Sequence, residues 1–500
     1  MRLIFLLFDS LNRSALGAYG GKIETPNFDR LAARSVTFDS HYVGSLPCIP
    51  ARRDIQTGRA NFFHRSWGPM EPYDTSFCEM LRAKGIYSHL VTDHFHYFQN
   101  GGSGYNTRYD SWDFIRGQEY DTWKAVVEPP LAQFAEEYDQ RHYDPKKKPG
   151  RIVHAINRLY EKDESDLPTP RCFASAFEFL EANKSADNWM LQLELFDPHE
   201  PFHAPSRFRR EGDSNWKGGV LNWPDYVPVN ETDDEIAEIR ANYAAQIRML
   251  DEYLGRLFDF MDSNEMWSDT AIVLSTDHGF LLGEHGWWGK SRMPYYEEMS
   301  HIPLIVYHPA HAEQAGQRLQ VLTQTVDIMP TILDVFGIPP ETDVTGRSLL
   351  SAVAGKTCDD RIIAFGLFAG PIGVTDGRYV MLHYPPDVLG DGLCEYTLMP
   401  QHMVQPFTAA EMATARMAPP FNFTKSMPLL RIEATREARR PPNLGGSFLD
   451  QGFRLFDLQM DPQQQKPIRD ANVEARLYEG LRHYMQAHDA PAESYGWQGL

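Results

Sequence analysis

The sequence predicts an α/β protein: a mostly parallel mixed sheet sandwiched by helices, followed by a smaller C-terminal α+β subdomain. Three observations carry this. Apolar runs alternate with helix patterns through the first two thirds of the chain. Four of the runs end in polar, potentially ligating residues, and open α/β sheets place their sites at the carboxyl ends of strands. Beyond about residue 360 the patterning breaks into short strand-like pieces. The expected boundaries are a larger α/β domain over 1–358 and a subdomain over 359–500.

Leu3 to Phe8 is a continuous apolar run, the form of a central strand buried on both faces, and it ends at Asp9. Thr25-Pro26-Asn27 opens a helix through Phe28, Leu31 and Ala32, with Asn27 as the expected cap and Pro26 as a start signal. Phe77 to Lys84 reads as a helix stopped by Gly85, and Ile86 to Thr92 as a strand leading to Asp93, His94 and His96. Trp189 to Phe196 is a third strand, ending in Asp197-Pro198-His199. Thr270 to Ser275 is a fourth, ending in Thr276-Asp277-His278-Gly279. Ile302 to Tyr307 extends the sheet, and Asp327 to Phe336 is a helix stopped by Gly337. Arg361 to Gly366, Tyr379 to His383 and Arg454 to Asp461 are strand-like, and Val473 to Ala487 is a final amphipathic helix. The Met- and Pro-rich stretch over 398–447 reads as an insertion or loop.

Composition limits the function classes. With 48 basic and 68 acidic residues the net charge is −20, so nucleic acid is excluded as an expected partner. An anionic ligand would be repelled at long range, and its site must be locally positive. The five cysteines are an odd, scattered set with no zinc or disulfide spacing. No run approaches the roughly 20 apolar residues of a membrane span, and MRLIFLLFDS reaches Asp9 without a small-residue cleavage site. The expectation is a cytoplasmic protein without a membrane partner, in which NxS/T triplets at Asn12, Asn183, Asn230 and Asn422 are chance matches. A large acidic chain with an apolar insertion is compatible with homo-oligomerisation.

The most informative segment starts at Cys48. CIPARRDIQTGR carries Cys48, Pro50, Arg52, Thr57, Gly58 and Arg59 at the spacing CxPxRxxxxTGR. At average usage such a pattern recurs by chance in roughly a few chains per million. Pro50 fixes a turn, and Arg52 offers planar donors to a buried oxyanion. Asp9, Asp277 and His278 are the metal candidates, because hard divalent cations prefer carboxylate oxygens and two strand ends can bring these groups together.

The Cys48 pattern resembles the sulfatase signature. So do Asp9-Ser10-Leu11, TPNFDRLAARSVTF from Thr25, PHEPF from Pro198, TDHGFLLGEHGWWGK from Thr276, SHIPLIVYHP from Ser300, TVDIMPTILDVFGI from Thr325, GRSLL from Gly346 and LFDLQMDP from Leu455. Together they cover about half of the chain. The resemblance implies the alkaline phosphatase superfamily fold, on the branch near arylsulfatases and phosphonate monoester hydrolases. It implies conversion of Cys48 to formylglycine by a formylglycine-generating maturation enzyme. One hydroxyl of the aldehyde hydrate would attack sulfur, and the other would then expel sulfate as the aldehyde reforms. Carried over position by position, Asp9, Asp277, His278 and Cys48 match ligands of one divalent ion, expected to be Ca2+ with Mn2+ or Mg2+ as alternatives. Arg52 matches the arginine that steadies the nucleophile. His199 and Lys290 match groups that hold the sulfuryl oxygens and assist the leaving group.

Two departures stand out. Ser10 occupies the place of a second acidic residue found in many sulfatases, so Ser10 is at most a weak metal ligand. The family's GKxH block is replaced by TDHFHYF, in which His94 and His96 would face one side of a strand. Either is a candidate base, and Asp93 could orient one of them. The expected reaction is sulfate ester hydrolysis of a small anionic ester. The alternatives are a phosphonate monoester or phosphodiester hydrolase using the same nucleophile and metal, and a catalytically silent anion-binding member. A metal-dependent phosphomutase would normally carry Ser or Thr at position 48.

Overall fold

The computed structural model describes residues 1–291, 294–356, 358–434 and 452–500. Its centre is an eight-stranded sheet. In chain order the strands are β1 (Arg2–Phe8), β2 (Val36–Tyr42), β3 (Tyr87–Thr92), β4 (Ser111–Phe114), β5 (Trp189–Leu195), β6 (Thr270–Ser275), β7 (Leu304–Tyr307) and β8 (Arg318–Gln324). They lie side by side as β8-β2-β7-β6-β1-β5-β3-β4. Every neighbouring pair is parallel except those made by β7, which runs antiparallel to both β2 and β6.

The apolar run of β1 is central and wholly buried because both of its faces are covered. Ile4, Leu6 and Phe8 point into one core with α1 (Pro26–Arg34), α4 (Pro168–Asn183) and α5 (Asp233–Ser263). Leu3, Phe5 and Leu7 point into the opposite core with α2 (Cys48–Thr57), α3 (Phe77–Arg82) and α6 (Ile328–Val335). A period of two along the strand thus builds a three-layer sandwich. The cap of α1 is Thr25, with Pro26 in the first turn; Asn27 lies inside the helix and binds Asp251. Proline at the first helical position moves the cap back by two residues from the expected Asn27.

The C-terminal part contains β9 (Ile363–Gly366), β10 (Ile372–Thr375), β11 (Tyr379–His383) and β15 (Arg454–Asp457) in one antiparallel sheet, with α7 (Ala471–Ala487) packed on it. A second antiparallel sheet of β12 (Cys394–Thr397), β13 (Arg416–Ala418) and β14 (Leu429–Glu433) corrects the loop expected from residue 398. Its strands are too short to show a period in sequence, yet Leu429 and Ile432 are fully buried. The remainder of that expected stretch, 435–447, lies outside the described residues. Tyr42, Val43 and Leu46 share one apolar cluster with residues of the C-terminal sheet, which braces the loop leading into Cys48. Among the described residues, no helix is long and apolar enough to cross a membrane.

Candidate active site

Three elements converge at the carboxyl edge of the sheet. β1 ends at Asp9 and β6, beside it, at Asp277 and His278, so register alone places these groups together. Cys48 begins α2, whose loop is held by a buried carboxylate. Asp54 accepts from the Ser45 amide (2.5 Å), the Ser45 hydroxyl (2.9 Å) and the Asn61 amide (3.1 Å). Burial pushes its carboxyl up to about 7 despite these bonds. Gly58 closes α2 at φ +67 with its amide on the Asp54 carbonyl, a left-handed cap that suits glycine. Gly279 is required for a different reason: a Cβ there would lie 1.9 Å from the Glu298 carbonyl oxygen.

Donor atoms of Asp9, Cys48, Asp277 and His278 all lie within 4.8 Å of one another, and all four residues are buried. The His278 Nδ1 lies 3.0 Å from the Gly279 carbonyl oxygen, which only accepts, so Nδ1 carries the hydrogen. This leaves the Nε2 lone pair facing Cys48 Sγ at 3.3 Å, the tautomer a metal ligand needs. Two carboxylates and an imidazole lone pair beside residue 48 make a donor set suited to a divalent cation.

Arg52, one turn after Cys48, holds both the residue-48 backbone and the carboxylates around it. Its Nε donates to Glu194 (2.6 Å), its Nη1 to Asp277 (2.6 Å) and the Cys48 carbonyl (3.1 Å), and its Nη2 to Asp9 (3.0 Å). The fork thus reaches three carboxylates and one carbonyl of the protein. It locks the two candidate metal carboxylates in place, a geometry that lysine could not reproduce. Glu194 was missed in the sequence, although Gln192 and Glu194 inside an otherwise apolar strand are the signal. Glu194 also accepts the Tyr97 hydroxyl at 2.9 Å.

Lys290 reaches the centre from a turn beyond a two-residue ladder, Leu281–Leu282 against Trp288–Gly289. Its Nζ lies 3.2 Å from Cys48 Sγ, 3.2 Å from Ser10 Oγ and 3.7 Å from Asp9. Burial opposes its charge, but the acidic groups around it, Asp9 and Glu200 among them, more than offset this, and the pKa is raised. Lys290 is therefore a fixed cation. Asp9 is likewise held ionised: burial pushes it up, and Lys290 and Arg52 outweigh that. Burial and the Asp9 charge push the Cys48 thiol well above its ordinary range, which disfavours a thiolate nucleophile here. Ser10 donates to Asp9 at 2.8 Å, so its oxygen stands beside the candidate ligands.

His199 is buried, with Nδ1 on the Glu200 carbonyl oxygen at 2.5 Å, and burial and Lys290 hold its pKa well below normal. Its neutral Nε2 is the exchangeable side. His94 and His96 do not share a strand face as expected, because β3 ends at Thr92 and the chain turns into a 3-10 helix at Phe95–Phe98. Their rings stand at 83° with centroids 5.2 Å apart. His94 is fully buried with neither nitrogen hydrogen-bonded, and burial and Arg52 keep it neutral. His96 Nδ1 pairs with Gln99 at 2.6 Å, and Nε2 lies 3.2 Å from Glu119. Asp93 orients neither histidine; it accepts the Phe196 amide (2.7 Å) and Gln118 (3.0 Å).

The sulfatase family model matches residues 2–338. The chain belongs to the sulfatase family. This sulfatase is 27% identical over 390 residues to the multifunctional alkaline phosphatase superfamily protein PehA of Trinickia caryophylli, covering 68% of this chain and 73% of that one. It is 26% identical over 413 residues to an N-acetylglucosamine-6-O-sulfatase of Bacteroides thetaiotaomicron, with 72% of each chain covered. Its fold also matches the crystal structure of a phosphonate monoester hydrolase of Agrobacterium radiobacter, with a TM-score of 0.61, 17% identity and coverage of 98% and 95%.

Proposed function

We propose that this sulfatase hydrolyses sulfate esters with a nucleophile matured from Cys48. The observation that carries the reading is the placement of Cys48 within reach of Asp9, Asp277 and His278 on one side and Lys290 on the other. A bound divalent ion, Ca2+ by preference with Mn2+ or Mg2+ as alternatives, would lower the pKa of the attacking hydroxyl and draw charge from the ester. Asp9, Asp277, His278 and residue 48 would hold that ion, with Ser10 beside them. Lys290 supplies a permanent positive charge to a sulfuryl oxygen. His199 exchanges a proton through Nε2 at the leaving oxygen, and His94, neutral and unpartnered, accepts a proton from the matured residue 48. Arg52 orients the carboxylates. Cys48 is matured by a formylglycine-generating enzyme, and the reaction belongs to a cytoplasmic protein.

The same nucleophile and ion would also serve a phosphonate monoester, the reading favoured by the likeness to the Agrobacterium hydrolase. Parallel kinetics on 4-nitrophenyl sulfate and an aryl phosphonate monoester test the assignment, with mass spectrometry showing that the Cys48 peptide carries formylglycine. Higher efficiency on the sulfate supports it; a clear preference for the phosphorus ester replaces it.

A further inference from the structure

His199 has a task that its surroundings oppose. Its Nδ1 donates to the Glu200 carbonyl oxygen at 2.5 Å, so the neutral ring offers only a lone pair at Nε2 and must gain a proton there before it can give one to a leaving oxygen. An imidazolium in this place is buried and faces the Lys290 charge, and both effects favour the neutral ring. Protonation of a leaving oxygen therefore needs a group that offsets this cost.

The next residue in the chain supplies one. Glu200 is 2% exposed, and its Oε2 lies 3.2 Å from His199 Nδ1. That oxygen makes no hydrogen bond among the described residues, so the ring is the donor it faces. Oε1 is fixed separately, accepting the Tyr226 hydroxyl at 2.5 Å. Nδ1 thus meets two oxygens of one residue, and the carboxylate oxygen attracts the ring most strongly when the ring is charged. Burial pushes the Glu200 carboxyl up to about 7, against the pull of Lys290 and the Tyr226 hydroxyl. Loss of its proton near neutrality leaves an anion beside the imidazole.

The same carboxyl is braced against the other side of the site. Tyr226 packs on Gly289, where a Cβ would lie 2.3 Å from the ring, and Gly289 precedes Lys290. The Tyr226–Glu200 pair therefore ties the loop after β5, which carries His199, to the turn that carries Lys290.

We propose that Glu200 is a positioning residue for leaving-group protonation: its carboxylate, held by Tyr226, orients His199 and stabilises the protonated ring in the step where the ester oxygen departs. This rests on the sulfatase reading above. In that step the bond from sulfur to the leaving oxygen breaks, the oxygen takes the proton from His199 Nε2, and the ring returns to its neutral form. Glu200 changes no bond, and Nε2 regains a proton from solvent.

The test is a series of aryl sulfates on the matured, metal-loaded enzyme, because a basic leaving oxygen needs the proton and a weakly basic one does not. kcat/KM is measured for 4-nitrophenyl, 4-chlorophenyl and phenyl sulfate. Glu200→Gln is expected to cost about 10- to 100-fold on phenyl sulfate and about threefold or less on 4-nitrophenyl sulfate, a part of what a positioned acid contributes. Tyr226→Phe, which keeps the carboxylate but removes its hydroxyl donor, should steepen the dependence on leaving-group basicity in the same direction by less; it decides the matter if Glu200→Gln does not fold. In a His199→Asn background, Glu200→Gln should add no more than about twofold to the loss on phenyl sulfate. An equal loss on all three esters, or a loss that multiplies in full with that of His199→Asn, overturns the inference and leaves the sulfatase reading standing. No turnover of any sulfate ester by enzyme carrying formylglycine overturns both.

Discussion

The Lys290 ammonium lies 3.2 Å from the Cys48 sulfur, 242 residues away in sequence. Its position makes it a charge donor to whatever bond forms at residue 48. Lys290→Ala is expected to lower kcat/KM on 4-nitrophenyl sulfate by on the order of 10^2 to 10^3. Lys290→Arg should recover part of that loss, measured by steady-state kinetics.

Arg52 is the only cation bonded to Asp9, Glu194 and Asp277 together among the described residues. Arg52→Met leaves three buried carboxylates without their shared donor, and is expected to destabilise the fold by about 3–5 kcal/mol. Thermal melts read this directly. An unchanged melting temperature would contradict the role assigned to the guanidinium.

The His94 side chain makes no hydrogen bond, so its replacement should separate catalysis from stability. His94→Gln is expected to lower kcat by about 10^2 and to shift stability by no more than about 1 kcal/mol. A large fall in melting temperature with little change in kcat would assign it to packing instead.

Chelation should destabilise the protein through the same carboxylates. With metal at one hundred times its Kd, binding adds about 2.7 kcal/mol, so EDTA should lower the melting temperature and Ca2+ should restore it. Elemental analysis should find one ion per chain, and none in Asp277→Asn. An EDTA-insensitive melt would argue against an ion at this cluster.

Glu161 provides a pH test remote from the nucleophile. Burial pushes its carboxyl up to about 7, against the pull of Arg158, and neither oxygen is hydrogen-bonded. A folded pKa above the unfolded value means that the folded state binds the proton more tightly. Stability from this group is full below about pH 4.5 and is lost as the pH rises to about 7, by at most about 3 kcal/mol. Glu161→Gln removes the titration. Its melting temperature relative to wild type should rise between pH 5 and pH 8, and an equal difference at both would refute the assignment.

The legible parts of this protein were those with local signals. Leu3 to Phe8 could be recognised because a strand covered on both faces needs no polar residue. Other elements were hidden. β2 carries Thr37, Asp39, Ser40 and His41 within seven residues, and no apolar period marks it, yet it is buried because its polar groups find partners such as Thr323 and Arg318. The second C-terminal sheet escaped because strands of three to five residues hold too few turns of the pattern.

Residue types and spacing alone determined the metal candidates and the family resemblance, and through that resemblance the proposed nucleophile at Cys48, because motif chemistry is carried by side chains adjacent in sequence. Only the tertiary structure decided that Arg52 binds three carboxylates together with the Cys48 carbonyl, that the His94 ring stands unpartnered, and that Glu119 and Glu200 sit beside His96 and His199. Those facts depend on hydrogen-bond geometry between strands and loops distant in the chain, and directional bonds of about 3 Å leave no trace in a one-dimensional pattern.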